Sequence, residues 1–223
     1  MLFDWLVTGQ VVPSNPAHSV RGPRHSVSKG ATRVITSGEA TALLEGMDVS
    51  SVVGLRDRAI IAVMTYTFAR VNAVVALAVE DYFPQKKHWW LKLHEKNGKV
   101  NEMPCHPKLP QYLDDYIEAA GIAKDRKGPL FRSVKGKTKT LSPLPLSRSD
   151  IWAMIRRRGK AAGIETEIGC HTFRATGITD YLSNGGKLEV AQHMAGHSNA
   201  KTTGVYDRRS DDISLSEVAR IGI

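Results

Sequence analysis

The sequence predicts an α+β fold, mainly α-helical, with a small antiparallel β-sheet near residues 79–106. Three observations predict it. Apolar residues recur at helical spacing through "LRDRAIIAVMTYTFARVNAVVAL". "HWWLKLHEKNGKVNEMPCH" reads as two strands joined by Asn97-Gly98, a strong short-range hairpin signal. With 42% hydrophobic residues, a chain of 223 can bury a substantial core.

The elements follow in order. Residues 1–8 carry Leu2, Phe3, Trp5, Leu6 and Val7 and read as the end of a packed helix. Residues 9–35 read as linker, with Pro13, Pro16 and Pro23 among scattered basic groups. "SGEATALLEGM" places an N-cap serine, Ser37, ahead of a helix. The long apolar stretch that follows reads as two helices broken near Phe68–Arg70. "KLPQYLDDYIEAAG" is a helix stopped by Gly121. "SRSDIWAMIRRRGKAAG" is another, with Trp152, Ile155 and Ala162 on one side and a basic run beside them. Three short helices complete the pattern at about 171–184, 187–195 and 200–206.

Charge narrows the partner. Lys and Arg number 31 against 22 Asp and Glu, a net charge of +9 that favours a polyanion such as nucleic acid. The two cysteines, Cys105 and Cys170, form no metal-type pair and point to a reducing compartment. "AIIAVM" and "AVVALAV" are too short to span a bilayer, and "MLFDWLVTGQ" has an acid where a signal peptide would be basic. The expected localisation is cytoplasmic, bacterial and nucleoid-associated, with no membrane partner.

Chemistry concentrates near the C-terminus. "CHTFRATG" puts His171 and Arg174 three apart at a helix N-terminus, where side chains share a face and the dipole favours an anion. Arginine offers a fork of donors to phosphate oxygens, and histidine moves a proton near neutral pH. "AQHMAGHSNAKTTGVYDRR" adds His197 after a helix-ending glycine and Tyr206 nine residues later. A phenol becomes a covalent nucleophile once its proton is shared or removed. His193 and His197 are four apart, but Gly196 breaks the helix between them and no carboxylate completes a zinc set, so no metal site is assigned.

These residues together resemble the catalytic domain of the tyrosine recombinase (phage integrase) family, across roughly residues 36–210. "HTFRATG" supplies His171 and Arg174, "AGHS" supplies His197, and "TTGVYDRR" supplies Tyr206. "TYTFARVNAVVAL" looks like the segment bearing the first arginine, Arg70, and "HEKNGKVNEMP" resembles the family's lysine hairpin, with Lys96 in the catalytic position. Two departures stand out. Ala73 occupies the place, three after the first arginine, where relatives usually carry an acid, and "TFAR" replaces the commoner "TGLR".

The resemblance implies residues 36–223 as catalytic domain and residues 1–35 as the remnant of a core-binding domain plus linker. It implies a site-specific recombinase or integrase, metal-independent and without cofactor, acting through a 3′-phosphotyrosyl intermediate. Arg70 and Arg174 would clamp the phosphate, and His171 would assist the tyrosine proton or bond the phosphate. Lys96 would protonate the leaving 5′-hydroxyl, His197 would donate to the phosphate or place the phenol, and Tyr206 would attack. The partner would be double-stranded DNA, held by a homotetramer on two sites, with room for accessory DNA-bending proteins. Basic residues expected along the DNA backbone are Arg21, Arg24, Lys29, Arg33, Lys135, Lys137, Lys139, Arg156, Arg157 and Arg158. Two alternatives stay open at this level: a type IB topoisomerase-like enzyme, and a truncated DNA-binding remnant without activity.

Overall fold

A computed structural model describes residues 2–20, 32–95, 98–136, 138, 140–197 and 200–207. Helix α1 (Leu2–Thr8) buries none of its residues. Helix α2 (Ser37–Glu45) is capped by Thr36 rather than Ser37: Thr36 accepts from the Glu39 amide, and the Glu39 carboxylate accepts from the Thr36 amide at 2.8 Å. The cap lies one residue earlier than the sequence suggested because only Thr36 has a glutamate at the third helical position to close the box. Helix α3 (Val52–Tyr66) and helix α4 (Val71–Val75) are separated by the turn that holds Phe68 and Arg70, as the pattern predicted.

A 3₁₀ turn (Val79–Asp81) leads into a three-stranded antiparallel sheet of β1 (Tyr82–Gln85), β2 (His88–His94) and β3 (Val100–Pro104), in that order. Leu91 sets the register, facing Tyr82 on one side and Met103 on the other. Strand β1 adds a third strand to the two read from the sequence; its Pro84 is tolerated at the sheet edge, where a missing N–H breaks no inner ladder. The β2–β3 ladder ends at His94↔Val100, and the Glu95 amide donates to Lys99 O at 2.7 Å. The connection is therefore longer than the two-residue turn suggested by Asn97-Gly98.

Helix α5 (Leu109–Ala120) ends at Gly121 in the left-handed conformation. A second sheet, absent from the sequence reading, pairs β4 (Arg132–Val134) with β5 (Leu141–Pro145), and "KGKTKT" lies in its connection. Helix α6 (Arg148–Ala161), capped by Ser147, is followed by α7 (Cys170–Ser183), α8 (Leu188–Met194) and α9 (Ala200–Gly204).

The core forms around α3, whose residues Ala59 to Met64 are fully shielded. A helical stretch apolar on all sides, as 59–64 is, belongs at the centre of a fold, and α3 packs against both α5 and α7. Gly177 permits the α3–α7 contact: a β-carbon there would lie 2.1 Å from Thr65 O. A smaller cluster of Phe68, Ile178, Leu182, Ala191 and Ala195 joins α7 to α8, and Tyr206 packs against it. Ile155 is buried as expected, but Trp152 is 54% exposed and lies under the Arg156 guanidinium instead of in the core.

One charged group lies deep in this frame. Asp57 on α3 is fully buried, and both carboxylate oxygens are saturated. One accepts from Arg56 at 2.8 Å; the other accepts from Arg158 Nη2 at 2.9 Å and Nε at 3.0 Å, and from Arg157 at 3.3 Å. Arg56 also donates to Arg132 O at 2.7 Å, so this centre ties α3, α6 and β4 together.

Candidate active site

Arg174 anchors the site. It lies one turn into α7, 2% exposed, because Thr172, Phe173 and Ala175 beside it are core residues. Its Nη1 donates to Phe68 O, and its Nη2 donates to Ala195 O at 2.6 Å and to His197 Nε2 at 2.6 Å. The φ of Phe68, 55°, is in the left-handed region. For a residue with a side chain that conformation costs roughly 1–2 kcal/mol. The turn aims its carbonyl at Arg174, while the ring packs into the smaller cluster and offsets the strain. Burial lowers the Arg174 pKa to about 10, with the nearby charge of Arg70 acting in the same direction.

The geometry fixes the state of His197. A guanidinium only donates, so Nε2 accepts from Arg174 and the proton resides on Nδ1. Nδ1–H donates to Thr203 Oγ1 at 2.9 Å. Burial first, then the charges of Arg174 and Arg70, push the His197 pKa down to about 4, so the ring is neutral at physiological pH. Thr203 is fully buried on α9, and its carbonyl accepts from the Tyr206 amide at 2.9 Å. The Tyr206 ring lies nearly parallel to His197, with centroids 6.2 Å apart, in the turn just after α9 rather than on the helix itself. Thr179 of α7 donates to Tyr206 O at 3.2 Å.

Arg70, the N-cap of α4, completes the cluster, its charge felt by both Arg174 and His197. Its Nη1 contacts Glu95 Oε2 at 2.7 Å, while 36% of its side chain remains exposed. Gly196, at φ 58°, brings the α8–α9 connection close to this pair; a β-carbon there would lie 3.9 Å from Arg70 Nη1. Arg70, Arg174, His197 and Tyr206 are thus brought together from four separate stretches of chain.

His171 opens the same helix as Arg174, three residues before it. It is exposed on the first turn of α7 and lines an open cleft with Val71, Arg148, Trp152 and Cys170. Lys96 lies outside the described residues, as do Arg21, Arg24, Lys29, Lys137 and Lys139. Of the remaining basic candidates, Lys135 is exposed and Arg33 lies 3.5 Å from Glu167. Arg156 also pairs with Glu167, and Arg157 is 61% exposed beside Asp57. Arg158 turns inward, because the buried Asp57 carboxylate draws both its Nε and Nη2. Sequence reasoning missed Glu95 and Thr203. The only trace of Glu95 was an acid adjoining the hairpin lysine, and Thr203 had no signal beyond its place three residues before Tyr206.

Among the described residues, no His, Cys, Asp or Glu side chains gather in a metal-holding group. No helix among them is long and apolar enough to cross a membrane.

A helical domain with a small antiparallel sheet, two clustered arginines, a neutral histidine and a phenol defines an anion-directed site of a recognisable class. The chain belongs to the phage integrase family, whose sequence profile matches residues 33–212. It is 31% identical over 175 residues to the tyrosine recombinase XerD of Corynebacterium glutamicum, covering 78% of this chain and 54% of that protein. It is 32% identical over 191 residues to XerD of Staphylococcus aureus strain Mu50, covering 84% of this chain and 60% of that protein. The chain therefore spans little more than half the length of these relatives. Among solved structures, XerA recombinase superposes with a TM-score of 0.66 at 26% identity, over 84% of this chain and 63% of that one. XerH recombinase bound to difH, in a pre-cleavage complex, shares the fold with a TM-score of 0.69 at 19% identity, over 99% of this chain and 62% of that one.

Proposed function

We propose that this chain carries the catalytic domain of a site-specific DNA recombinase or integrase, with Tyr206 as nucleophile. The observation that carries the reading is the convergence of Arg70, Arg174 and His197 beside the phenol of Tyr206. A phosphodiester resists attack because it is anionic, and its non-bridging oxygens gain charge in the transition state. Arg174 meets that charge as a buried cation whose Nη hydrogens are held by carbonyls and His197; Arg70 adds donors from the exposed side. Tyr206 attacks phosphorus, the phenol proton departs, and a 3′-phosphotyrosyl bond forms as the P–O bond to the 5′-oxygen breaks. Lys96 supplies the proton to that oxygen. His171, at the α7 N-terminus, assists the phenol proton or bonds the phosphate. The link conserves the bond energy, so another 5′-hydroxyl can reverse the step and join a new strand without a nucleotide cofactor.

Double-stranded DNA is the substrate, and a homotetramer on two sites, with accessory DNA-bending proteins, is the working assembly. XerH was solved with difH bound, and a lambda integrase fragment of similar fold was solved as a dimer on a COC′ core site. Residues 36–223 form the catalytic domain, and residues 1–35 the end of a core-binding domain with its linker. Arg33, Lys135, Arg156 and Arg157 supply backbone contacts from the described surface; Arg21, Arg24, Lys29, Lys137 and Lys139 do so from the stretches beyond it.

The test uses a nicked suicide duplex, selected from a randomised pool by covalent capture, so that the short cleaved strand diffuses away. The wild-type chain forms an adduct stable on a denaturing gel, and Tyr206→Phe forms none. An adduct that persists in Tyr206→Phe removes Tyr206 as the nucleophile. Two-site plasmids then separate strand exchange, which yields recombinants, from simple relaxation.

A further inference from the structure

Glu95 sits at the root of the β2–β3 hairpin, its side chain 6% exposed. Oε2 holds Arg70 Nη1 at 2.7 Å, whereas Oε1 is shut away from solvent without a hydrogen-bond partner among the described residues. A buried carboxylate with one oxygen unsatisfied is costly, and core packing alone would favour an apolar residue here. Its surroundings show what the charge serves. The turn at Gly196, next to His197, closes over the pair, with a β-carbon there 3.8 Å from Glu95 Cδ. On the neighbouring strand, Asn101 Nδ2 donates to Met194 O at 3.0 Å and ties β3 to the end of α8. Helix α4, which Arg70 caps, reads VNAVV and contains no carboxylate; Ala73 on it is buried. The acid that holds Arg70 therefore comes from the hairpin, and the next residue in the chain is Lys96.

We propose that Glu95 is the positioning residue for Arg70. By holding one Nη it restricts the guanidinium and leaves Nε and Nη2 for the scissile phosphate. It also fixes that arginine to the end of β2. The proposal rests on the reading of the site given above. It separates from simple electrostatics by sign. Removing a carboxylate makes the site more positive and favours anion binding, whereas losing orientation slows the reaction. Misplacement of a reacting group by about 1 Å can cost 10²-fold.

The test compares wild type, Glu95→Gln, Arg70→Lys and the double variant on the same captured duplex. Glu95→Gln is expected to bind the duplex as tightly as wild type or more tightly, while its single-turnover cleavage falls roughly 10- to 100-fold. In the Arg70→Lys background it should add little. The loss should persist on a duplex with a 5′-bridging phosphorothiolate, whose thiolate leaves without a proton. Cleavage at the wild-type rate or faster, recovery on the phosphorothiolate, or an undiminished loss on top of Arg70→Lys each overturns the proposal. A measurement without turnover stands beside it. The Arg70 Nη–H signals in ¹⁵N spectra should be resolved in wild type and collapse in Glu95→Gln as rotation is freed; identical signals in both overturn the proposal. If wild type forms no adduct, the reading of the site fails, and the spectra still decide whether Glu95 restrains Arg70.

Discussion

Two buried arginine centres in this molecule use the same residue type to opposite ends. At Asp57, three guanidiniums surround one fully buried carboxylate and saturate both oxygens. At Arg174, the hydrogen bonds go to two backbone carbonyls and a neutral imidazole. Carbonyls satisfy donors without cancelling charge, so positive charge survives there; burial first, and the neighbouring arginine charge second, lower the pKa values of Arg174 and His197. The first centre locks the frame, and the second is left able to attract an anion. The acceptor supplied by the fold, more than the arginine, decides which role results.

The most disruptive change to this comparison is Asp57→Ala. It leaves the cations of Arg56 and Arg158 uncompensated in the frame and should lower stability by about 3–5 kcal/mol, read from urea unfolding. A loss well below that would mean the centre is not structural. Next in size, Arg174→Ala should reduce adduct formation by about 10²–10³ in single-turnover assays, equivalent to roughly 2.7–4 kcal/mol of transition-state stabilisation. Cleavage near the wild-type rate would place the phosphate elsewhere.

Acid should sharpen the contrast at smaller scale. The folded His197 has a pKa of about 4 against an ordinary 6.5, so the unfolded chain takes up its proton first. The contribution is fully present above pH 6.5, falls as pH drops from 6.5 towards 4, and levels off below. Thermal melts over that window should show a steeper loss for wild type than for His197→Gln; equal slopes would mean the ring is not held neutral by its surroundings. Smallest of all, Arg157→Ala should change stability by no more than about 0.5 kcal/mol in urea unfolding, since it is the exposed member of the Asp57 centre. A larger loss would make the surface arm integral to the frame.

Much of the fold was legible because it rests on local rules. Apolar spacing marked α3 and α5, Gly121 marked a stop, and the turn through Phe68–Arg70 was placed correctly. Where local rules failed, a tertiary contact prevailed. Strand β1 carries Pro84, and its edge position removes the penalty a proline would bring to an inner strand. Trp152 shared a helix side with buried Ile155, yet it lies exposed beneath Arg156. The basic run 156–158 reads as one surface, but Arg158 is drawn inward by a carboxylate about a hundred residues earlier in the chain.

By itself, the sequence determined the helical class, the approximate limits of the elements, and the identities of His171, Arg174, His197 and Tyr206 as candidates, while Arg70 and Lys96 came from the family resemblance. The former depend on residue type and short spacing, which are written directly in the chain. Only the tertiary structure decided which acceptors surround each arginine, that His197 is neutral and bonded to Thr203, and that the partner of Arg70 is Glu95 rather than a neighbour on its own helix. Those outcomes depend on burial and on contacts between distant segments, and burial is a property that no residue has until the chain has folded around it.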